Sequence, residues 1–173
     1  MFEFYEEIFK LKTLLRKGWL DRKVCDNVTK RVESDAEHTF SMALLALYII
    51  KHKQLKLDES KVLKMILYHE LCEIDTGDIT PFDNVSKEQK YLEELKAVER
   101  ISKNYNMPEI LEIWKEFEEE KTQEAKFVKQ MDKLDAVMQS KIYSNETNNN
   151  YLFNEFYNFS KEKIKEYSDL LNN

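Results

Sequence analysis

Residues 59–81 read ESKVLKMILYHELCEIDTGDITP, and they set both the class of fold and the place to look for chemistry. Val62, Leu63, Ile66 and Leu67 recur at three- and four-residue spacing, the period of a helix that packs against a core. Asp58 opens this helix as an N-cap, Gly77 closes it, and Pro81 blocks its continuation. The apolar segment nevertheless ends in His69, Glu70 and Glu73. At about 100° per residue Glu73 lies within about 40° of His69, and Glu70 adjoins it, so the three can converge on one point. Charge gathered on a buried surface requires a compensating cation.

Working outward, the remaining chain also reads as helices. Phe4, Ile8, Leu11 and Leu15 form a stripe in a first helix expected to end at Gly18. Trp19 to Val32 shows no helical period and is expected to be an ordered loop wrapping the core, carrying Arg22 and Arg31. Ser34, Asp35, Ala36 and Glu37 spell a capping box, which sets His38 in the first turn of a strongly apolar helix. Ser86 with Gln89 opens another helix, Pro108 suits the first position of the next, and Thr122 followed by Glu124 starts EAKFVKQMDKLDAVMQSKIY. NETNNN separates that segment from a last aromatic-rich helix expected over Tyr151 to Leu171. With only two glycines and two prolines in 173 residues, the expectation is an all-α fold, one domain over residues 1–173, a bundle of six to seven helices. A chain of this length buries roughly 70% of its unfolded surface, enough for a single core.

Composition narrows the partners. Thirty-three acidic against 27 basic residues give a net charge of −6, so no broad basic field exists to hold a nucleic-acid backbone. No apolar run reaches the roughly 18 residues of a membrane span, and the acidic opening MFEFYEEIFK is unlike a signal peptide. Cys25 and Cys72 form no CxxC pair, which fits a reducing compartment. The expected location is the cytoplasm. Cys72, flanked by apolar residues, reads as a packed core thiol. The aromatics of NYLFNEFYNF read as core or subunit interface, and an exposed remnant of that stripe favours a homodimer.

A second charged residue stands on an apolar face: Asp132, among Phe127, Val128, Met131, Leu134 and Met138. His38 adds a further candidate ligand. Two imidazoles and two carboxylates suit a divalent metal such as Mn, Fe, Co, Ni or Zn, with open positions for water and substrate. His52 lies fourteen positions after His38, about 21 Å along the same helix, and cannot join them.

These motifs in order, AEHT, HExxE, TGDITP and KFVKQMDKLDAVMQ, together with GWLDRKV and WKEFEEEKTQEAKFVKQMDKLD, resemble the HD-domain metal-dependent phosphohydrolases over Gly18 to Gln139, in particular the small 5′-deoxynucleotidase branch. The resemblance implies metal ligands at His38, His69, Glu70 and Asp132, catalytic roles for Glu73 and Asp78, and one divalent ion (Mn, Co, Fe, Ni, Zn or Mg), since relatives with two metals use additional histidines and none is left. The family dyad is His-Asp; here it is His69-Glu70. Arg22 and Arg31, in the loop before His38, are the candidates for gripping phosphate. The implied substrate is a small nucleotide, a deoxynucleoside 5′-monophosphate. Another phosphate ester, a guanosine alarmone, or a non-catalytic nucleotide-binding role with Glu70 altering the site stay open beside it. Which of Glu73 and Asp78 is acid and which base is likewise open, and Asp75 and Asp135 are assigned no firm task.

Overall fold

The computed structural model describes residues 1–24, 31–80 and 82–171, and among them the regular elements are helical, with no strand. Helix α1 spans Phe2–Phe9 and runs into a 3-10 turn at Lys10–Lys12; α2 is Lys17–Asp21, α3 Asp35–Lys53 and α4 Glu59–His69. A 3-10 turn at Glu70–Cys72 leads to the one-turn α5, Glu73–Thr76. Then follow α6 (Lys87–Asn104), α7 (Pro108–Glu119), α8 (Gln123–Thr147), α9 (Asn150–Ser160) and a 3-10 stretch at Lys165–Leu171.

Helix starts follow local chemistry. The capping box before α3 is complete: the Ser34 amide donates to Glu37 Oε2 at 2.8 Å while the Glu37 amide donates back to Ser34 Oγ. Asp58, Ser86 and Thr122 each accept an amide from three residues on, and Pro108 opens α7, where its missing N–H is not needed.

Three boundaries differ from expectation, each because a tertiary contact overrides a local signal. The first helix stops at Phe9, and Gly18 lies inside α2 instead of capping α1. Leu15 leaves the helix to bridge Ser34: the Arg16 amide donates to the Glu33 carbonyl and the Asp35 amide to the Leu14 carbonyl, both at 3.0 Å. The helix expected up to Asp75 tightens into the 3-10 turn at Glu70 before Gly77, at φ 70°, ends it. The last helix stops at Ser160, whose carbonyl accepts the Lys163 and Ile164 amides and drives Ile164 into the core. Of the expected loop from Trp19 to Val32, Trp19–Asp21 belong to α2, and residues 25–30, including Cys25, lie outside the described residues, as does Pro81.

Helices α3, α4 and α8 pack on one another around Met42, Ile49, Met65, Ile66, Val128 and Met131. A second cluster joins α6 and α7 to the turn after α4 through Val98, Ile101, Ile110 and Trp114. Trp114 is 1% exposed, so truncation to Ala would cost about 3–5 kcal/mol. Helix α4 is one-sided: Val62, Met65, Ile66 and His69 face inward while Leu67 is exposed. Its C-terminal end therefore delivers His69 and the turn after it into the interior between the two clusters.

Candidate metal centre

His38 is fully buried, and its Nδ1 lies 2.8 Å from Asp135 Oδ2 on α8. His69 Nδ1 lies 2.7 Å from the Ile66 carbonyl, which can only accept, so that nitrogen carries the proton. Both rings thus turn a bare Nε2 inward, and neither Nε2 has a hydrogen-bond partner among the described residues although both are buried. His38 Nε2 is 3.4 Å from Asp132 Oδ1 and 3.7 Å from Glu70 Oε1, and His69 Nε2 is 3.0 Å from the same Glu70 oxygen. One ligand atom from each of His38, His69, Glu70 and Asp132 lies within 4.8 Å of all the others. Nitrogen lone pairs facing carboxylate oxygens in a buried space repel unless a cation, whether a proton or a metal ion, stands between them. This donor set, two imidazole nitrogens and two carboxylate oxygens, fits a divalent metal.

The surroundings hold these groups in different protonation states. Burial opposes ionisation of Glu70, but Arg16, whose Nη1 is 3.2 Å from Oε1, and His69 overcome it and keep the carboxyl well below its usual range. Burial is likewise outweighed at Asp132, chiefly by Lys133, which holds Oδ2 at 2.8 Å, and by His38. Glu73 goes the other way: burial, then the charges of Glu70 and Asp78, push its carboxyl well above the usual range. Asp35 is raised to about 7 by burial and Glu70. Burial and Arg16 press His38 toward neutrality, yet the nearby carboxylate of Asp132 and the hydrogen-bonded carboxylate of Asp135 carry its pKa to about 10. A proton and a metal ion therefore compete for its Nε2.

Local geometry explains why these residues meet. In the 3-10 turn, residues three apart eclipse, so Glu70 and Glu73 share a face that the regular helix would have splayed. The Leu15–Ser34 bridge sets Arg16 beside Asp35 and Glu70. Sequence reading missed both Arg16 and Asp35. A charge ending the apolar run in TLLRKGW, residues 13–19, was a signal for Arg16; Asp35 was hidden by its capping box, where an acidic residue already has a helix-dipole reason to stand.

His69, Glu70 and Asp132 open on a cavity of about 540 Å³ that Arg16, Glu73 and Asp78 also line; the fully buried His38 is not among its lining residues. Asp78 Oδ2 accepts the Lys17 amide at 2.7 Å. Arg22 lines the same cavity, its guanidinium 4.9 Å from the rings of both Phe82 and Phe156 and paired with Glu155. Arg31, the other candidate from sequence, is not among the lining residues, and its guanidinium is exposed and bidentate on Glu37 at 2.7 and 2.9 Å. The carboxylate of the capping box draws it away from the cavity. Asp75 pairs with Arg100, and His52 is exposed and stacked on Tyr48. Cys72 is a buried thiol donating to the His69 carbonyl at 3.2 Å.

Known proteins are similar to this chain over most of its length. A model of the HD domain family matches residues 8–171. The 5′-deoxynucleotidase HDDC2 of Dictyostelium discoideum is 35% identical over 149 residues, covering 82% of this chain and 76% of its own length. That of Xenopus laevis is 30% identical, covering 95% and 80%. Among solved structures, a protein of Pyrococcus horikoshii superposes with a TM-score of 0.79 at 29% identity, covering 99% of this chain and 96% of its own. One from Magnetospirillum magnetotacticum, titled a predicted metal-dependent phosphohydrolase, superposes with a TM-score of 0.69 at 25% identity, covering 99% and 89%. An all-helical bundle with paired histidines and carboxylates at its centre, matched over nearly its whole length, belongs to the HD domain family of metal-dependent phosphohydrolases.

Proposed function

We propose that this chain removes phosphate from a small nucleotide, in the first place a deoxynucleoside 5′-monophosphate, with one divalent ion held by His38, His69, Glu70 and Asp132. The observation that carries the reading is the pair of buried imidazole Nε2 atoms without partners, turned onto two carboxylates. A divalent ion bound there supplies a water of lowered pKa and offsets charge on the phosphoryl oxygens. Mn, Co, Fe, Ni, Zn and Mg are all compatible with the charge of this set.

Arg16, which lines the cavity, takes the phosphate-gripping role, while Arg31 is engaged by Glu37 and is not among the lining residues. The Arg16 guanidinium has five donors and gives one to Glu70, leaving others for phosphoryl oxygens. Glu73, favoured in its protonated form beside Glu70 and Asp78, is suited to protonating the leaving ribose oxygen. Asp78, with one oxygen anchored on the Lys17 amide, is then placed to orient or deprotonate water. Arg22, Phe82 and Phe156 form the wall where a nucleoside would lie, and a cavity of about 540 Å³ is of nucleotide size.

No helix among the described residues is long and apolar enough to cross a membrane, which is consistent with action on a free nucleotide in the cytoplasm. Tyr151 and Phe159 remain exposed on α9, the remnant that favours a homodimer; light scattering after gel filtration tests it. The functional reading is tested by loading purified protein with Mn or Co and measuring phosphate release across ribo- and deoxynucleoside monophosphates. Release from the deoxy series, abolished by His69→Ala, is the expected result. Equal rates for wild type and His69→Ala across the whole panel would overturn it.

A further inference from the structure

Helix α3 carries apolar residues on two sides. Met42, Ala46, Ile49 and Ile50 pack into the core beside His38, yet Phe40, Leu44 and Tyr48 stand 67, 55 and 53% exposed on the opposite side. A helix that is apolar all round is ordinarily covered all round. Glu37, Phe40, Leu44, Leu47 and Lys51 follow one another at alternating three- and four-residue steps, and with Tyr48 they fall within about 100° of the helix circumference. Such a row is the seam along which two helices pair at about 20°. The one ring over it belongs to the same helix: His52 stacks on Tyr48 at 3.8 Å. Exposed Tyr5 and Phe9 on α1 differ, because Lys12 lies over both rings at 5.1 and 5.7 Å.

We propose that this face of α3 is the contact with a second copy of the same chain, the two α3 helices lying antiparallel about a twofold axis at Leu44. The arrangement of the row about Leu44 is what selects its own copy. Phe40 and Tyr48 stand four residues to either side, so each phenylalanine meets the tyrosine of the other copy. Glu37 and Lys51 stand seven to either side, so an acid meets a base at both ends. Lys51 is exposed and has no ion-pair partner among the described residues. Glu37 is held by Arg31 and Ser34, but its Oε1 accepts only from Arg31 Nη2 among the described residues, which leaves that oxygen a lone pair. A parallel pairing would set acid on acid and base on base. The acidic first turn and basic last turn of α3 favour the antiparallel direction for the same reason. Exposed ion pairs contribute little energy, so burial of Phe40, Leu44 and Tyr48 drives the association and the charges fix its direction. This contact is separate from the exposed remnant on α9, and it lies on the side of α3 away from His38.

Gel filtration with light scattering on the full chain at micromolar concentration is expected to give the mass of two chains. Leu44→Glu and Leu44→Lys each place like charges on the axis and are expected to raise the dissociation constant at least about a hundredfold, giving single chains. An equimolar mixture of the two variants is expected to recover the two-chain mass, because only a contact in which position 44 meets its own counterpart sets the new acid against the new base. Lys51→Glu is expected to weaken the dimer about tenfold, and less at high salt. Leu44 is exposed and touches none of the metal ligands, so both variants should keep the far-ultraviolet circular dichroism and the bound metal of wild type, which controls for misfolding. Single chains in wild type, a two-chain mass that survives Leu44→Glu, or a mixture that fails to reassociate overturns the inference. Loss of the dimer in Tyr151→Glu with its retention in Leu44→Glu moves the contact to α9 and overturns it likewise.

Discussion

Replacing Asp135 by Asn tests whether the buried imidazoles serve as metal ligands. Asp135 Oδ2 accepts the His38 Nδ1 proton at 2.8 Å, with side-chain exposures of 8% and 0%, so the pair is shielded from solvent. This bond fixes the tautomer that leaves Nε2 bare toward Glu70 and Asp132. An asparagine that turns its NH₂ to Nδ1 forces the proton onto Nε2, where it blocks ligation; one that turns its oxygen keeps the tautomer but withdraws the charge that makes the ring basic. Loss of such a supporting group costs about 10–100-fold in metal affinity, and the burial here argues for the upper end, about 2.7 kcal/mol. Co²⁺ titration of chelator-stripped protein, read by visible absorption and calorimetry, measures it directly. Asp135→Ala should additionally lower folding stability by about 1–3 kcal/mol, because it strands a buried N–H. An Asp135→Asn protein that binds Co²⁺ as tightly as wild type, with the same absorption spectrum, would refute the reasoning.

Removing the metal should lower the melting temperature by about 8–16 °C if the ion is present at a thousandfold its dissociation constant, from about 4 kcal/mol of linkage; differential scanning calorimetry with and without chelator reads it. Metal affinity should rise with pH, since His38 must shed its proton to ligate and its pKa of about 10 lies above the working range; one proton displaced per ion gives about tenfold per pH unit below that value. Arg16→Met should cut kcat/KM by about ten- to a hundredfold, the worth of a charged hydrogen bond, and Arg16→Lys should restore only part of it because the fork is lost. Glu73→Gln should lower kcat by about a hundred- to ten-thousandfold and flatten the pH profile while the ion of the histidine cluster stays bound, which elemental analysis checks.

Much of the helical plan was readable because its signals are local. Ser34 with Glu37, Asp58, Ser86, Pro108, Thr122 and Gly77 act through bonds spanning three or four residues, and each marks an observed helix end. The misread boundaries share one cause. Leu15, Glu70 and Ile164 obey contacts with distant chain, the bridge to Ser34, the turn into the centre and the drop into the core, that no local period encodes.

The candidate site divides in the same way. A histidine or carboxylate on an apolar helix face is visible in sequence as a charge without local support, which drew attention to His38, His69, Glu70 and Asp132, while the resemblance of the ordered motifs joined the four as ligands. Whether such charges meet depends on how α3, α4 and α8 pack, and that packing brings them within 4.8 Å. Arg16 and Asp35 had ordinary local explanations and became significant only once the Leu15–Ser34 bridge set them against Glu70; Arg31 looked eligible until its pairing with Glu37 removed it. Sequence by itself determined which residues needed a compensating charge, because burial of polar groups follows from helical periodicity. Only the tertiary structure decided which partner supplies that charge, because electrostatic energy depends on distance through space and not along the chain.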